Sequence, residues 1–213
     1  MSQPREPRRA LVVVDVQNGF TEGSGELPVA GGDATARAVG AFVAQHRDRY
    51  HLVVTTQDWH VDPGAHFAAG EPDFVDTWPA HCRAGTPGAE LDPLLSEGAG
   101  RPFPELVDVG VRKGEHAAAY SGFQGVTDDG RPLAHVLRDA GVTDVDYVGI
   151  ALSHCVKETA LDGVREGFTG RVLRDLTVPV SEESGRAAVE ALRAAGVDVL
   201  DSHLAATGAT PAA

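Results

Sequence analysis

Cysteine is nearly absent from this chain: 213 residues hold two, Cys82 and Cys155. Two thiols that far apart make no disulfide framework, so the expected setting is a reducing cytoplasm. Lysine is equally sparse. Of 18 basic residues only Lys113 and Lys157 are lysines, so a lysine at a strategic position stands out. Positive charge as a whole is lacking, with a formal net charge of −13. That balance argues against nucleic acid or an anionic membrane surface as a partner, because both require a basic patch. No apolar run approaches the roughly 18 residues that cross a bilayer. The opening MSQPREPRRA has no long apolar segment behind it and reads as a short, loose N-terminus rather than a signal peptide.

What is present is an alternation. ALVVVD (10–15) is a short branched apolar run, hence a buried strand. Asp33 is expected to cap a helix reaching about Arg49, with Val39, Phe42 and Val43 on one face. HLVVTT (51–56) gives a second strand and ELVDVGVR (105–112) a third. PLAHVLRDAG gives a helix, with proline near its start and Gly141 past its end. DVDYVGI (144–150) is a fourth strand, followed by a helix over 155–168. RVLRDL (171–176) is a fifth strand, 182–195 a helix ended by Gly196, and VDVL (197–200) a sixth strand. Strands alternating with helices predict a three-layer α/β/α fold around a six-stranded parallel sheet. The length suits one domain over 1–213, with loose ends at about 1–8 and 205–213. The exception is a stretch from about 57 to 104, rich in Pro, Gly and His. An irregular segment of that length inside a compact domain is usually functional.

In parallel α/β sheets, ligands bind beyond the carboxyl ends of the strands. Asp15 follows the first strand, Asp58 and His60 the second, Lys113 the third and Cys155 the fourth. Cys155 at a helix start would be favoured as a thiolate by unpaired N–H groups and the helix dipole, and the same N–H groups can hold an oxyanion. A lone cysteine is otherwise a small buried hydrophobe; its company decides. Asp15 closes an apolar strand, where a carboxylate is costly unless paired. It suits a general base for the thiol and an acid for a leaving amine, with Lys113 as its partner. In the long segment, QDWHVDPGAHF and TWPAHC supply Asp58, His60, His66 and His81, a donor set for a divalent transition metal such as Zn, Fe or Mn. His154 adjoins the cysteine but, as its sequence neighbour, fits a pocket wall better than a Cys–His dyad. Cys82 reads as structural. His46, His51, His116, His135 and His203 read as surface residues.

With these residues in place, the chain resembles the nicotinamidases (pyrazinamidase-type) of the isochorismatase-like cysteine hydrolase superfamily, from Ala10 to about Leu200. VVDVQNGF resembles the first-strand motif with its catalytic aspartate, Asp15. QDWHVDPGAHF and TWPAHC resemble the metal-site segments, VRKG the segment of the catalytic lysine, Lys113, and YSGFQG (120–125) a further family segment. GIALSHCVKETA resembles the nucleophile segment. The resemblance implies a cis bond at Ile150–Ala151, an oxyanion hole from the N–H groups of Ala151 and Cys155, and ring contacts from Phe20 and Trp78; Ile150 and His154 are expected beside them in the substrate pocket. It implies hydrolysis of nicotinamide, with pyrazinamide as a further substrate, one divalent metal ion, and a homodimer as a common assembly. Two positions depart from the family pattern: Gly19 where an aspartate is more frequent, and Ser153 where an acid is more frequent. A relative acting on another small amide, an N-carbamoyl compound or an isochorismate-type ether is the competing reading; the full metal set counts against it. A non-catalytic metal-binding protein would require the Asp15–Lys113–Cys155 combination to be accidental.

Overall fold

A computed structural model describes residues 7–23 and 25–207. Six parallel strands form one sheet in the order β3-β2-β1-β4-β5-β6: β1 (Arg9–Val14), β2 (Leu52–Asp58), β3 (Val109–Lys113), β4 (Asp144–Ile150), β5 (Thr169–Val178) and β6 (Asp198–Leu200). The chain begins in the middle of the sheet, winds outward through β2 and β3, then returns to place β4 on the other side of β1. The strand order therefore reverses between β1 and β4, and an open α/β sheet leaves a crevice at the carboxyl ends there.

The two faces follow from the period of a strand. Successive side chains point to opposite sides, so Leu11 and Val13 face one layer while Ala10, Val12 and Val14 face the other. The first layer is α1 (Gly32–His46), through Val39, Phe42 and Val43, with α2 (Leu94–Ala99), through Leu95. The second is α3 (Leu133–Asp139), α4 (Lys157–Arg165) and α5 (Glu182–Ala194), through Leu137, Ala160 and Leu192. Burying a side chain such as Val or Leu contributes roughly 1.5–3 kcal/mol, and β1 from Ala10 to Val14 is fully buried.

Several boundaries differ from the sequence reading. Asp33 does not cap α1. Gly31, in the left-handed region at φ 86, stands at that position, and Asp33 Oδ1 instead accepts the Glu22 N–H at 2.7 Å. The third strand starts at Val109, because Phe103–Leu106, carrying Pro104, turns into a short 3-10 segment that buries Phe103 and Leu106. The helix expected over 155–168 is in two parts. Residues 152–156 form a wide turn in which the Val156 N–H reaches the Ala151 carbonyl, and α4 proper begins at Lys157. The long segment contains α2 and three short 3-10 turns. At the ends, Arg8 donates its N–H to Thr143 Oγ1, and α6 (Ser202–Thr207) buries Ala205; residues 1–6 and 208–213 of the loose-end expectation lie outside the described residues.

Candidate active site

Parallel pairing brings the chemistry to one end of the sheet. Val14 is in register with Thr56 and with Gly149, and Asp58 with Lys113. The residues just past those pairs therefore converge. Gly149 makes the approach possible. At φ 115, a Cβ there would lie 2.1 Å from the Val14 carbonyl oxygen, so β4 can pass this close to β1 only without a side chain. Asp15 turns out of β1 at φ 47, a left-handed conformation that costs a non-glycine residue of order 1–3 kcal/mol and clusters at functional sites. Its N–H is held by the Thr56 carbonyl at 3.1 Å, and Thr56 Oγ1 donates to its Oδ1 at 2.6 Å.

Lys113 is the hub. Its Nζ lies 2.9 Å from Asp15 Oδ2, donates to Asp58 Oδ1 and to the Ala119 carbonyl (3.0 Å), and lies 3.8 Å from Cys155 Sγ. All four side chains are buried. Burial raises the Asp15 carboxyl above the ordinary carboxylate value, against the opposing pull of Lys113. For Asp58 the same burial penalty is outweighed by Lys113 and then His60, and its carboxyl is held far below that range. Burial would lower Lys113, but the two carboxylates keep it firmly protonated. Cys155 corrects the sequence expectation of a ready thiolate. Its sulfur sits inside the wide turn and is buried, and burial pushes the thiol well above its ordinary value although Lys113 pulls the other way. At rest the group is a thiol beside a carboxylate, so the proton must move as the sulfur reacts.

On the far side of Asp58 stand three histidines. Asp58 Oδ2 is 3.8 Å from His60 Nε2 and 3.9 Å from His81 Nε2. One donor atom from each of His60, His66 and His81 lies within 4.8 Å of the others. The rings are already oriented. His60 Nδ1 bonds the Gly114 carbonyl and His81 Nδ1 the Pro79 carbonyl, both at 2.7 Å, which puts a hydrogen on each Nδ1 and leaves each Nε2 lone pair facing inward. His60 Nε2 and His66 Nδ1 are buried with no hydrogen-bond partner among the described residues. Burial, with the neighbouring imidazoles, lowers His81 and pushes His66 down to about 4, so these rings are neutral at physiological pH, as metal ligands must be. Orphaned buried nitrogens facing a carboxylate fit a divalent cation.

A cavity of about 460 Å³ opens onto both clusters. Cys155, Asp58, His66 and His81 line its inner end; Asp15, Lys113 and His60 are not part of its lining. Phe20, Trp78, Ile150, Ala151 and His154, all expected there, form its walls. The Ile150–Ala151 bond is cis. His154 is no partner of the thiol: its Nδ1 lies 3.0 Å from Ser153 Oγ. The sequence reading missed Thr56, whose hydroxyl holds Asp15, and Tyr120, whose Oη accepts the Trp78 indole N–H at 2.9 Å. Tyr120 opens the YSGFQG segment, so the motif was visible but not the residue's place in it. Missed too was the outer rim of Phe74, Val180, Ser181 and Ser184. Gly19 has a spatial explanation. A Cβ there would meet Cys82 Sγ at 2.6 Å, so the buried cysteine fills the room a side chain at 19 would need. Cys82 also gives its N–H to Glu26 Oε2 (2.7 Å) and its carbonyl to the His60 N–H (3.1 Å). Both cysteines are free thiols.

A thiol, a buried carboxylate and a buried lysine at the strand ends of an open α/β sheet define a cysteine-hydrolase type of site. The sequence profile of the isochorismatase domain matches residues 9–203, and the chain belongs to that family. It is 49% identical over 194 residues to the nicotinamidase/pyrazinamidase of Mycobacterium tuberculosis, covering 91% of this chain and 99% of that protein. It is 38% identical to the nicotinamidase of Acinetobacter baylyi, over 78% of this chain and 79% of that one. Among solved structures it resembles the pyrazinamidase of Pyrococcus horikoshii in complex with zinc, with TM-score 0.76 and 34% identity, covering 92% of this chain and 99% of that one. It likewise resembles PnC1 from L. infantum in complex with nicotinate, with TM-score 0.76 and 32% identity, covering 92% and 93%.

Proposed function

We propose that this chain hydrolyses nicotinamide to nicotinate and ammonia through a thioester on Cys155. The observation that carries the reading is the position of the Lys113 ammonium between Asp15 and Asp58, which couples the thiol cluster to the histidine cluster in one cavity. The names of the relatives support the substrate. Asp58, His60, His66 and His81 are the residues that would hold one divalent ion, Zn²⁺, Fe²⁺ or Mn²⁺. A bound ion would supply Lewis acidity toward the nitrogen-bearing ring of the substrate.

The chain's own residues do the rest. Phe20, Trp78, Ile150 and His154 enclose the ring, so that the carboxamide carbon stands over Cys155. Asp15 takes the thiol proton as sulfur attacks; its raised carboxyl matches it to that transfer better than a strongly acidic one would. The N–H groups of Ala151 and Cys155 receive the developing oxyanion. Asp15 returns the proton to the leaving nitrogen, the C–N bond breaks and ammonia departs. Water then gives a proton to Asp15 and its oxygen to the thioester, releasing nicotinate and regenerating the thiol. Lys113 stays protonated throughout and holds Asp15 in line. The same geometry admits pyrazinamide. Two free, buried thiols support a reducing cytoplasmic setting.

The test is ammonia release from nicotinamide by the purified protein, before and after removal of metal by a chelator. Release that falls on chelation and returns with added metal is expected. Cys155→Ala should retain less than about 1% of turnover, as loss of a nucleophile does, while binding metal as the parent does. No release from metal-loaded protein would overturn the substrate assignment in favour of another small amide or N-carbamoyl compound. Undiminished release after confirmed metal loss would overturn the role of Asp58, His60, His66 and His81.

A further inference from the structure

Ser153 departs from the family's more frequent acid, and its surroundings give that difference a consequence. Ser153 is buried at 5% exposure. Its Oγ accepts the Val180 N–H at 3.2 Å and lies 3.0 Å from His154 Nδ1. No other acceptor for its hydrogen exists among the described residues. A hydroxyl carries one hydrogen and two lone pairs. Val180 uses one lone pair, and His154 Nδ1 is the acceptor that the described residues offer to the hydrogen. That nitrogen must then be the unprotonated one, and the proton of the neutral ring sits on Nε2. The ring itself stands in the cavity wall, 5.3 Å from Trp78 and 6.2 Å from Tyr120. Its Nε2 has no protein partner among the described residues.

We propose that Ser153 is a positioning residue that fixes His154 as the Nε2–H tautomer, so that His154 offers a neutral hydrogen-bond donor to an acceptor atom of the bound carboxamide. The identity of that ligand rests on the function proposed above; the tautomer does not. An acid at 153 would do the reverse. A carboxylate accepts, so it would draw the proton to Nδ1, leave Nε2 as an acceptor, and favour a charged ring. Serine can favour the Nε2–H form without adding charge. The charged groups around the ring point the same way. Burial lowers His154, and Lys157, one turn along, lowers it further against the weaker pull of Glu158. Tyr120 faces it as a neutral phenol. The bond from Val180 ties the same serine to the cavity rim, so one hydroxyl sets both the ring and the start of the segment that leads into α5.

The experiment reads the tautomer directly on substrate-free protein. Histidine labelled with ¹⁵N gives distinct nitrogen shifts for the two neutral tautomers and the charged ring, and the His154→Gln spectrum identifies which signals belong to His154. The parent is expected to show the Nε2–H form throughout about pH 6–8, the range where an ordinary histidine titrates. Ser153→Ala should lose that preference. Ser153→Asp should move the proton to Nδ1 and raise the pH at which the ring becomes charged. Ser153→Thr keeps the hydroxyl and should restore the parent pattern, which separates the effect from a general disturbance of the fold. In turnover, Ser153→Ala should raise KM by about twofold, since an unbiased ring is in the donating form about half the time, and by more than it lowers kcat. Ser153→Asp should make KM depend on pH across the same range. An Nδ1–H form in the parent, or a tautomer that Ser153→Ala leaves unchanged, overturns the proposal. The expected tautomers with no turnover of nicotinamide would leave the Ser153–His154 relation standing and sink the substrate assignment instead.

Discussion

Replacing Lys113 with methionine tests the centre of the site. The two side chains are similar in length, so the change removes charge more than volume. It leaves Asp15 and Asp58, at 0% and 4% exposure, without the ammonium between them. A carboxylate oxygen of each lies within 4.8 Å of the other. At that separation two like charges repel by about 3.5 kcal/mol for an effective dielectric constant near 20. Breaking a buried ion pair by removing one partner costs about 3–5 kcal/mol by mutagenesis, so the two routes agree. The dependence on pH carries a sign that the loss of packing alone would not. In the parent, Asp58 is held below the ordinary range. Its contribution is therefore present above the unfolded pKa of about 4 and lost as pH falls toward the folded value. Without Lys113 its carboxyl moves above the unfolded value. The folded state then keeps a proton that the unfolded state has released, and stability falls as pH rises, by up to about 1.4 kcal/mol per unit for each proton. Urea unfolding of both proteins, each freed of metal, should show a deficit that is small near about pH 4 and largest near neutrality. A variant as stable as the parent at neutral pH, or a deficit that acidification does not shrink, refutes the reasoning that Lys113 compensates two buried charges.

Two further predictions concern metal and packing. Chelation should lower the melting temperature of the parent by on the order of 10 °C. A ligand at a thousand times its Kd contributes about 4 kcal/mol, and a protein of this size shifts by about 2–4 °C for each of these. His60→Ala should abolish that shift and raise KM more than it lowers kcat; a shift that survives the substitution refutes His60 as a ligand. In α4, a Cβ on Gly163 would lie 1.9 Å from Tyr147 Oη, a buried hydroxyl with no hydrogen-bond partner among the described residues. Gly163→Ala should therefore lose about 1–3 kcal/mol to overpacking, although alanine favours a helix over glycine. Tyr147→Phe should cost nothing and recover at least about 1 kcal/mol in the double variant, read from a double-mutant cycle.

Much of this was legible in the residues alone. β1, β2 and β4 and the order of elements followed from short branched apolar runs between helical patterns, because burial on both faces of a parallel sheet demands such runs. The reactive residues followed from their place just after those runs, because a parallel sheet sends every strand end to one side. Asp33 and the 105–112 strand misled for local reasons. A glycine in the left-handed region could start α1 without a side-chain cap, and Pro104 turned an apolar stretch that looked extended. Only the tertiary structure decided which charges meet. That Lys113 bridges Asp15 and Asp58, rather than pairing with Asp15 alone, depends on the register of β2 against β3. That Cys155 is pushed so far toward the thiol depends on its burial in a wide turn, which outweighs the opposing pull of Lys113. The sequence determines which groups are available and at which end of the sheet they gather. Their protonation and partners are set by distances of a few ångströms and by exclusion of water, and neither is a property of the chain until it has folded.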